Sequence, residues 1–207
     1  MQRRRQLMAM QNRSPLPKEY QKVECIKSTG TQYIDTGILF NHGIKITAIM
    51  AWANSTELMA LFGARLGTGN NRFFLINYQG YVDFAYITDN YGVFPFAYNE
   101  IHKYTFDTTE STVFKYGVDD VIKTKNTTNF DTDTTGYIFA YHWTNDPNPR
   151  SRSQAIFKSM VIEDASGAKL FDGVPCYRKS DGEIGIYDLV NQRFLTNLGR
   201  DSFIIPA

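Results

Sequence analysis

From Tyr20 almost to its end, the chain alternates apolar and polar side chains with a period of two. In the stretch 44–52, Ile44, Ile46, Ala48, Met50 and Trp52 share one side while Lys45 and Thr47 fall on the other. A strand with one buried face has this pattern. Residues 71–88 read as two such strands joined at Gln79-Gly80, where glycine supplies the positive φ of a tight hairpin. His102, Tyr104 and Phe106 line one side of the next strand. Strands at 112–116 and 121–125 then flank Gly117-Val118-Asp119-Asp120, a second hairpin signal, and further strands are expected at 136–141 and 155–163, the last closed by a turn at Asp164-Ala165-Ser166-Gly167. No stretch carries sustained helical periodicity.

About a dozen short strands with regular turns predict an all-β fold: a two-sheet antiparallel β-sandwich of jelly-roll type, with a closed barrel as the alternative. Composition agrees. Aromatics make up 14% of 207 residues, with 15 Phe and 13 Tyr, and these side chains suit a pleated, half-buried surface. That length suits one domain.

Residues 1–17 stand apart. Arg3, Arg4, Arg5 and Arg13 occur there without an acidic residue, Leu7, Met8 and Met10 offer apolar anchors, and Ser14-Pro15-Leu16-Pro17 resists helix and ladder alike. The segment reads as a basic arm and linker: a solvated terminus, or an extension that orders against a neighbouring subunit. Gln6, Gln11 and Asn12 interrupt its apolar positions, so it does not read as a secretion signal. No apolar run approaches a membrane span, which leads us to expect a soluble protein made in a cytoplasm, with no membrane partner. With 22 Lys and Arg against 21 Asp and Glu, the folded body has no overall field to draw it to nucleic acid. Cys25 and Cys176 form no close-spaced motif and are expected to be free thiols.

Two segments carry a resemblance. Residues 23–37, reading VECIKSTGTQYIDTG, and residues 171–197, reading FDGVPCYRKSDGEIGIYDLVNQRFLTN, resemble the opening and closing blocks of a group of concanavalin A-like, laminin-G-like domains found in phages and in prophage-bearing gut bacteria. Cys25 stands where that group usually carries Tyr, and the chain's end lacks the group's Gly-rich finish. The resemblance implies a concanavalin A-like jelly roll over 18–207. The basic opening followed directly by such a domain is similar to small virion-associated proteins of tailed phages. It implies a structural protein of the virion, made in the bacterial host cytoplasm, with other virion proteins as partners and copies of itself within an assembly. From the residues themselves, Gly30 and Gly37 are expected to bracket a short strand with Tyr33 pointing inward and Asp35-Thr36 in a turn. Ser180-Asp181-Gly182 should form a turn, Gly185 a close backbone approach, and Tyr187-Asp188 the last corner.

Sandwiches of this class include glycoside hydrolases, which need two carboxylates facing each other across a cleft. No Glu-x-Asp-x-Glu run occurs, and the nearest pairs, Asp119-Asp120, Asp131 with Asp133, and Glu163-Asp164, fall at expected turns or loops. No enzyme activity and no cofactor are expected. His42, His102 and His142 lack metal-ligand spacing. Laminin-G-like relatives often hold calcium, and Asp131-Thr132-Asp133 or Asn145-Asp146 could supply its oxygens.

The stretch from His142 to Ser153 is rich in Pro, Asn and Ser and reads as a long loop. With Tyr141 it gathers Tyr141, His142, Trp143, Asn145, Asp146 and Arg150, an aromatic platform beside hydrogen-bonding groups that suits bacterial or mucosal glycans. The plainer alternative is that Tyr141 and Trp143 complete a core edge or a subunit contact. Asn90 and Tyr91, after Asp89, form a second candidate cluster in another expected loop. A carbohydrate-binding or adhesion module is thus the alternative to a virion part, and an inactive hydrolase relative a third reading.

Overall fold

The computed structural model describes residues 16–206 except 57, 68–70 and 88, and for 89–93 and 147 it describes the backbone alone. The arm residues Arg3, Arg4, Arg5, Leu7, Met8, Met10 and Arg13 lie outside the described residues.

Alternation becomes strand almost everywhere it was expected. In chain order the strands are β1 (Tyr20–Lys22), β2 (Ile26–Thr29), β3 (Ile34–Leu39), β4 (Ile44–Trp52), β5 (Ala60–Arg65) and β6 (Arg72–Tyr78). Next come β7 (Tyr81–Ile87), β8 (Asp89–Pro95), β9 (His102–Glu110), β10 (Val113–Val118), β11 (Val121–Asn126) and β12 (Thr135–Ile138). The last are β13 (Tyr141–Trp143), β14 (Asp146–Arg150), β15 (Gln154–Asp164), β16 (Lys169–Arg178), β17 (Ile184–Asp188) and β18 (Arg193–Thr196).

They form two sheets packed face to face. The 10-stranded sheet runs β11-β10-β9-β4-β15-β16-β17-β18, with β1 on β16 and β2 on β15. The 8-stranded sheet runs β14-β13-β5-β6-β7-β8, and β12 bridges β3 to β5. Pairing is antiparallel except for β13 on β5, which is parallel.

The core is aromatic. Ile46, Ala48, Met50 and Trp52 of β4 point inward, as the alternation requires, and meet Phe73, Leu75, Phe84 and Tyr86 from β6 and β7. Phe106 of β9 is the hub: it stacks on Phe73 with centroids 4.2 Å apart and touches the rings of Phe62, Phe84, Tyr86 and Phe114. Burying such a ring contributes about 1.5–3 kcal/mol. Trp52 is fully buried, and its indole N–H donates to Met59 O at 2.8 Å.

Turn chemistry sets the register. Tyr78 pairs with Tyr81, leaving Gln79 and Gly80 at φ 50° and 77° as the two-residue hairpin turn.

Three expectations are corrected. Residues 142–153 are not a loop: β13 and β14 form a hairpin on the rim of the 8-stranded sheet. Pro147 and Pro149 are compatible with β14 because it is an edge strand, where a missing N–H breaks no central ladder. Asp89, Asn90 and Tyr91 likewise lie in a strand, paired with Tyr86, Ala85 and Phe84. The reversal falls just before them, with Ile87 at φ 57°, a conformation that a β-branched residue does not advertise. Finally, Tyr33 does not enter the core. Ile34 does, while Tyr33 packs on Tyr137 with ring centroids 5.0 Å apart, and Gly37 lies inside β3 at φ 66°, its N–H bonded to Asp35 Oδ1 at 2.8 Å.

Candidate functional site

The two segments that carry the resemblance meet in space. Asn197 Oδ1 accepts from the N–H of Tyr33 at 3.2 Å, and Leu198 N–H donates to Tyr33 O at 3.0 Å. Gln32 Nε2 donates to Ser202 O at 3.0 Å. Arg193 donates to Thr36 O, and the space it occupies exists because Gly37 has no side chain: a Cβ there would lie 2.6 Å from its Nη1. Asp188 anchors this clasp from below. Fully buried, it accepts from the N–H groups of Asp172 and Val190 at 3.3 and 3.1 Å, from Asn191 Nδ2 at 2.6 Å and from Arg193 Nε at 3.4 Å. Gly185 makes the close approach expected of it, with Leu195 O 2.3 Å from where a Cβ would sit. These residues build architecture, fastening the beginning of the sandwich to its end.

The expected glycan cluster is divided by the geometry of β13. Successive side chains on a strand point to opposite faces, so Tyr141 and Trp143 go one way and His142 the other. His142 lies flat on Tyr137, centroids 4.3 Å apart and planes 10° apart, with Nδ1 3.2 Å from Thr135 O. Burial pushes the Tyr137 phenol up to about 12. Asn145 is exposed at the hairpin tip. Tyr141, Trp143, Asp146 and Arg150 do come together. Tyr141 stacks on Phe74 of β6 (centroids 4.9 Å, 18°), which together with Ile76 and Ala85 forms a small apolar cluster on the outer face of the 8-stranded sheet. Phe74 fits there because its neighbour on β5 is Gly63, whose absent Cβ would fall 2.1 Å from Phe74 Cβ.

Trp143 is held by several neighbours. The guanidiniums of Arg65 and Arg150 sit over its ring at 4.9 and 5.4 Å, and its indole N–H donates to Gly67 O at 2.9 Å. Arg150 also forms an ion pair with Asp146. The Asp146 carboxyl is held below the ordinary carboxylate range, first by the Asn148 N–H and also by Arg150.

Beside this group the outer face holds a cavity of about 360 Å³, lined by Leu58, Arg65, Arg72, Phe74, Ile76, Tyr78, Asp83, Tyr141 and Ser151. That size falls in the range of small-molecule sites. The sequence pointed to Tyr141 but missed the floor of this cavity. Phe74, Ile76 and Asp83 are the outward-facing half of β6 and β7, and in a strand that is apolar on both faces the alternation does not say which half is core.

A second concavity, on the outer face of the 10-stranded sheet, is lined by Lys45, Lys103 and Lys115 among others. Each is matched by a carboxylate: Lys45 by Glu163 at 3.9 Å, Lys103 by Asp120 at 2.9 Å, and Lys115 by Glu110. The acidic residues of the sequence have similar local duties. Asp119 holds His102 at 2.9 Å, Asp131 holds His42 at 3.0 Å, and Asp164 accepts from Ser166 and Ala168 within its own turn. Among the described residues no three of His, Cys, Asp and Glu converge, and Asp146 is committed to Arg150 and Asn148.

The molecule is thus a two-sheet β-sandwich with an aromatic, arginine-bearing outer face. No protein-family model matches the chain, and no curated protein is found similar to it.

Proposed function

We propose that the chain is a non-enzymatic structural protein of a bacteriophage particle, a capsid decoration or a head, neck or tail accessory protein, built on a concanavalin A-like sandwich. The observation that supports this most directly is the clasp. Residues 23–37 and 171–197, which carry the likeness to phage domains, bond to each other through Tyr33, Thr36, Arg193 and Asn197, so the likeness lies in one shared piece of architecture. In this reading the arginine-rich arm fastens the sandwich to neighbouring virion subunits. The test is to purify particles and detect the chain by mass spectrometry, then repeat with residues 1–17 deleted. Incorporation that depends on the arm is expected; a chain found only in the soluble fraction would overturn the proposal.

A second reading, an adhesion module for glycans, is favoured by the outer-face cavity with Tyr141 and Phe74 at its floor. The two readings are compatible, because a surface component of a particle can also adhere. Binding on a glycan array that Tyr141→Ala abolishes would support adhesion. An array without signal would remove it.

A further inference from the structure

The outer face of the 8-stranded sheet is ordered by charge along its strands. Arg65 and Arg72 are direct partners across β5 and β6. One same-face step along, about 7 Å at two residues of rise, come Gly63, Phe74 and Ala85, with Tyr141 stacked on Phe74. A further step of the same size brings Ile76 and its partner Asp83, which is almost fully buried. The cavity spans all three levels: two guanidiniums at one end, an aromatic floor, and a carboxylate at the other.

Many cations among the described residues, such as Lys45, Lys103, Lys115, Arg150 and Arg193, already face a carboxylate. Arg65 does not: among the described residues its contact is the Trp143 indole, and its Nε meets no acceptor. A guanidinium seated over an indole keeps its in-plane N–H donors for a planar anion, and a carboxylate matches that fork. Carboxylates such as Asp83 are in turn natural acceptors for sugar hydroxyls.

We propose that this cavity binds an acidic saccharide, with Arg65 and Arg72 taking the sugar carboxylate, the ring lying against Phe74 and Tyr141, and hydroxyls directed to Asp83. The inference rests on the adhesion reading and narrows it to sugars that carry a carboxylate. It does not depend on the chain's place in a particle.

The full chain would be titrated by calorimetry with two matched pairs: sialyllactose against lactose, and a short oligogalacturonate against its methyl ester. Binding of at least one acidic member, tenfold or more tighter than its neutral counterpart, is expected. The pair that responds tells a sialic acid from a uronic acid. Arg65→Gln should erase the difference, Arg65→Lys should restore part of it, and Arg200→Gln, at a residue that does not line the cavity and whose N–H donates to Thr31 O beside the clasp, should leave it intact. Equal affinity for acidic and neutral members would overturn this proposal while leaving adhesion standing. Binding of no saccharide would overturn both. The comparison of ligands on the unaltered protein decides the matter even if an Arg65 variant fails to fold.

Discussion

Replacing Asp188 by Asn tests how much of the sandwich depends on the clasp. The side chain is fully buried and accepts from three backbone N–H groups, those of Asp172, Val190 and Asn191, as well as from Asn191 Nδ2 and Arg193 Nε. Asn keeps the volume but presents an NH₂ where one oxygen accepted, so at least one donor must face another donor. It also leaves Arg193, which ties β18 to Thr36 of β3, without its counter-charge. Hydrogen bonds to a charged group contribute about 1.5–3 kcal/mol, and removing one partner of a buried ion pair costs about 3–5 kcal/mol. Arg193 is partly exposed and recovers some solvation, so the lower part of that span applies: about 2–4 kcal/mol. For a chain of this size each kcal/mol lowers Tm by about 2–4 °C, giving a fall of roughly 4–16 °C. Urea unfolding followed by tryptophan fluorescence should show a lower midpoint with an unchanged slope. A loss below about 1 kcal/mol would refute the reasoning, because the carboxylate's charge would then be dispensable to the clasp.

Gly136→Ala should destabilise by about 1–3 kcal/mol or more, since the added Cβ would lie 2.0 Å from ring atoms of fully buried Phe40; an unaltered melting curve would show that the ring has room to move. Burial pushes the Cys176 thiol up to about 12 and raises Cys25 as well, so native protein at pH 8 should react slowly with a disulfide reagent at Cys25 and at Cys176 only after unfolding, as peptide mapping will show. Asp119 is held low chiefly by the Lys103 N–H and Asp164 chiefly by the Ser166 hydroxyl. Groups lowered on folding contribute stability that is complete above the unfolded carboxylate value of about 4 and disappears as pH falls through the folded values. Urea midpoints should therefore drop below about pH 4, and Asp119→Asn should flatten that dependence; equal midpoints at pH 3 and 7 would contradict it.

The alternation of residues 44–52 and the glycine after Gln79 were enough to place β4 and, to within a residue, the β6–β7 hairpin, because burial of one face and a positive φ are local demands. The failures have physical sources as well. Pro147 and Pro149 signal loop in any local reading, and only the position of β14 on a rim makes a strand of them. The turn before Asp89 rests on Ile87 at φ 57°, a conformation that a β-branched residue rarely adopts and that no local signal announces. At the candidate site, Tyr141 was legible as an aromatic near polar groups. Its partners Arg65, Phe74 and Asp83 come from strands more than fifty residues earlier in the sequence, and no local spacing announces a surface assembled by sheet order. Trp143 was legible in the same way, whereas Arg65, which sits over its ring, is contributed by β5 and has no local signal.

The rim at β14 also bears on how copies of this protein can meet. A neighbouring strand seeking to extend the 8-stranded sheet there would find no donor at 147 or 149, so a continuous ladder cannot propagate from that side. On the other sheet, β11 is exposed along its whole length but carries Lys123 and Lys125, the first resting over Phe94. Lysines on an open border discourage a second chain from zipping onto it. Crowding many copies at high local concentration is therefore compatible with each remaining a separate sandwich.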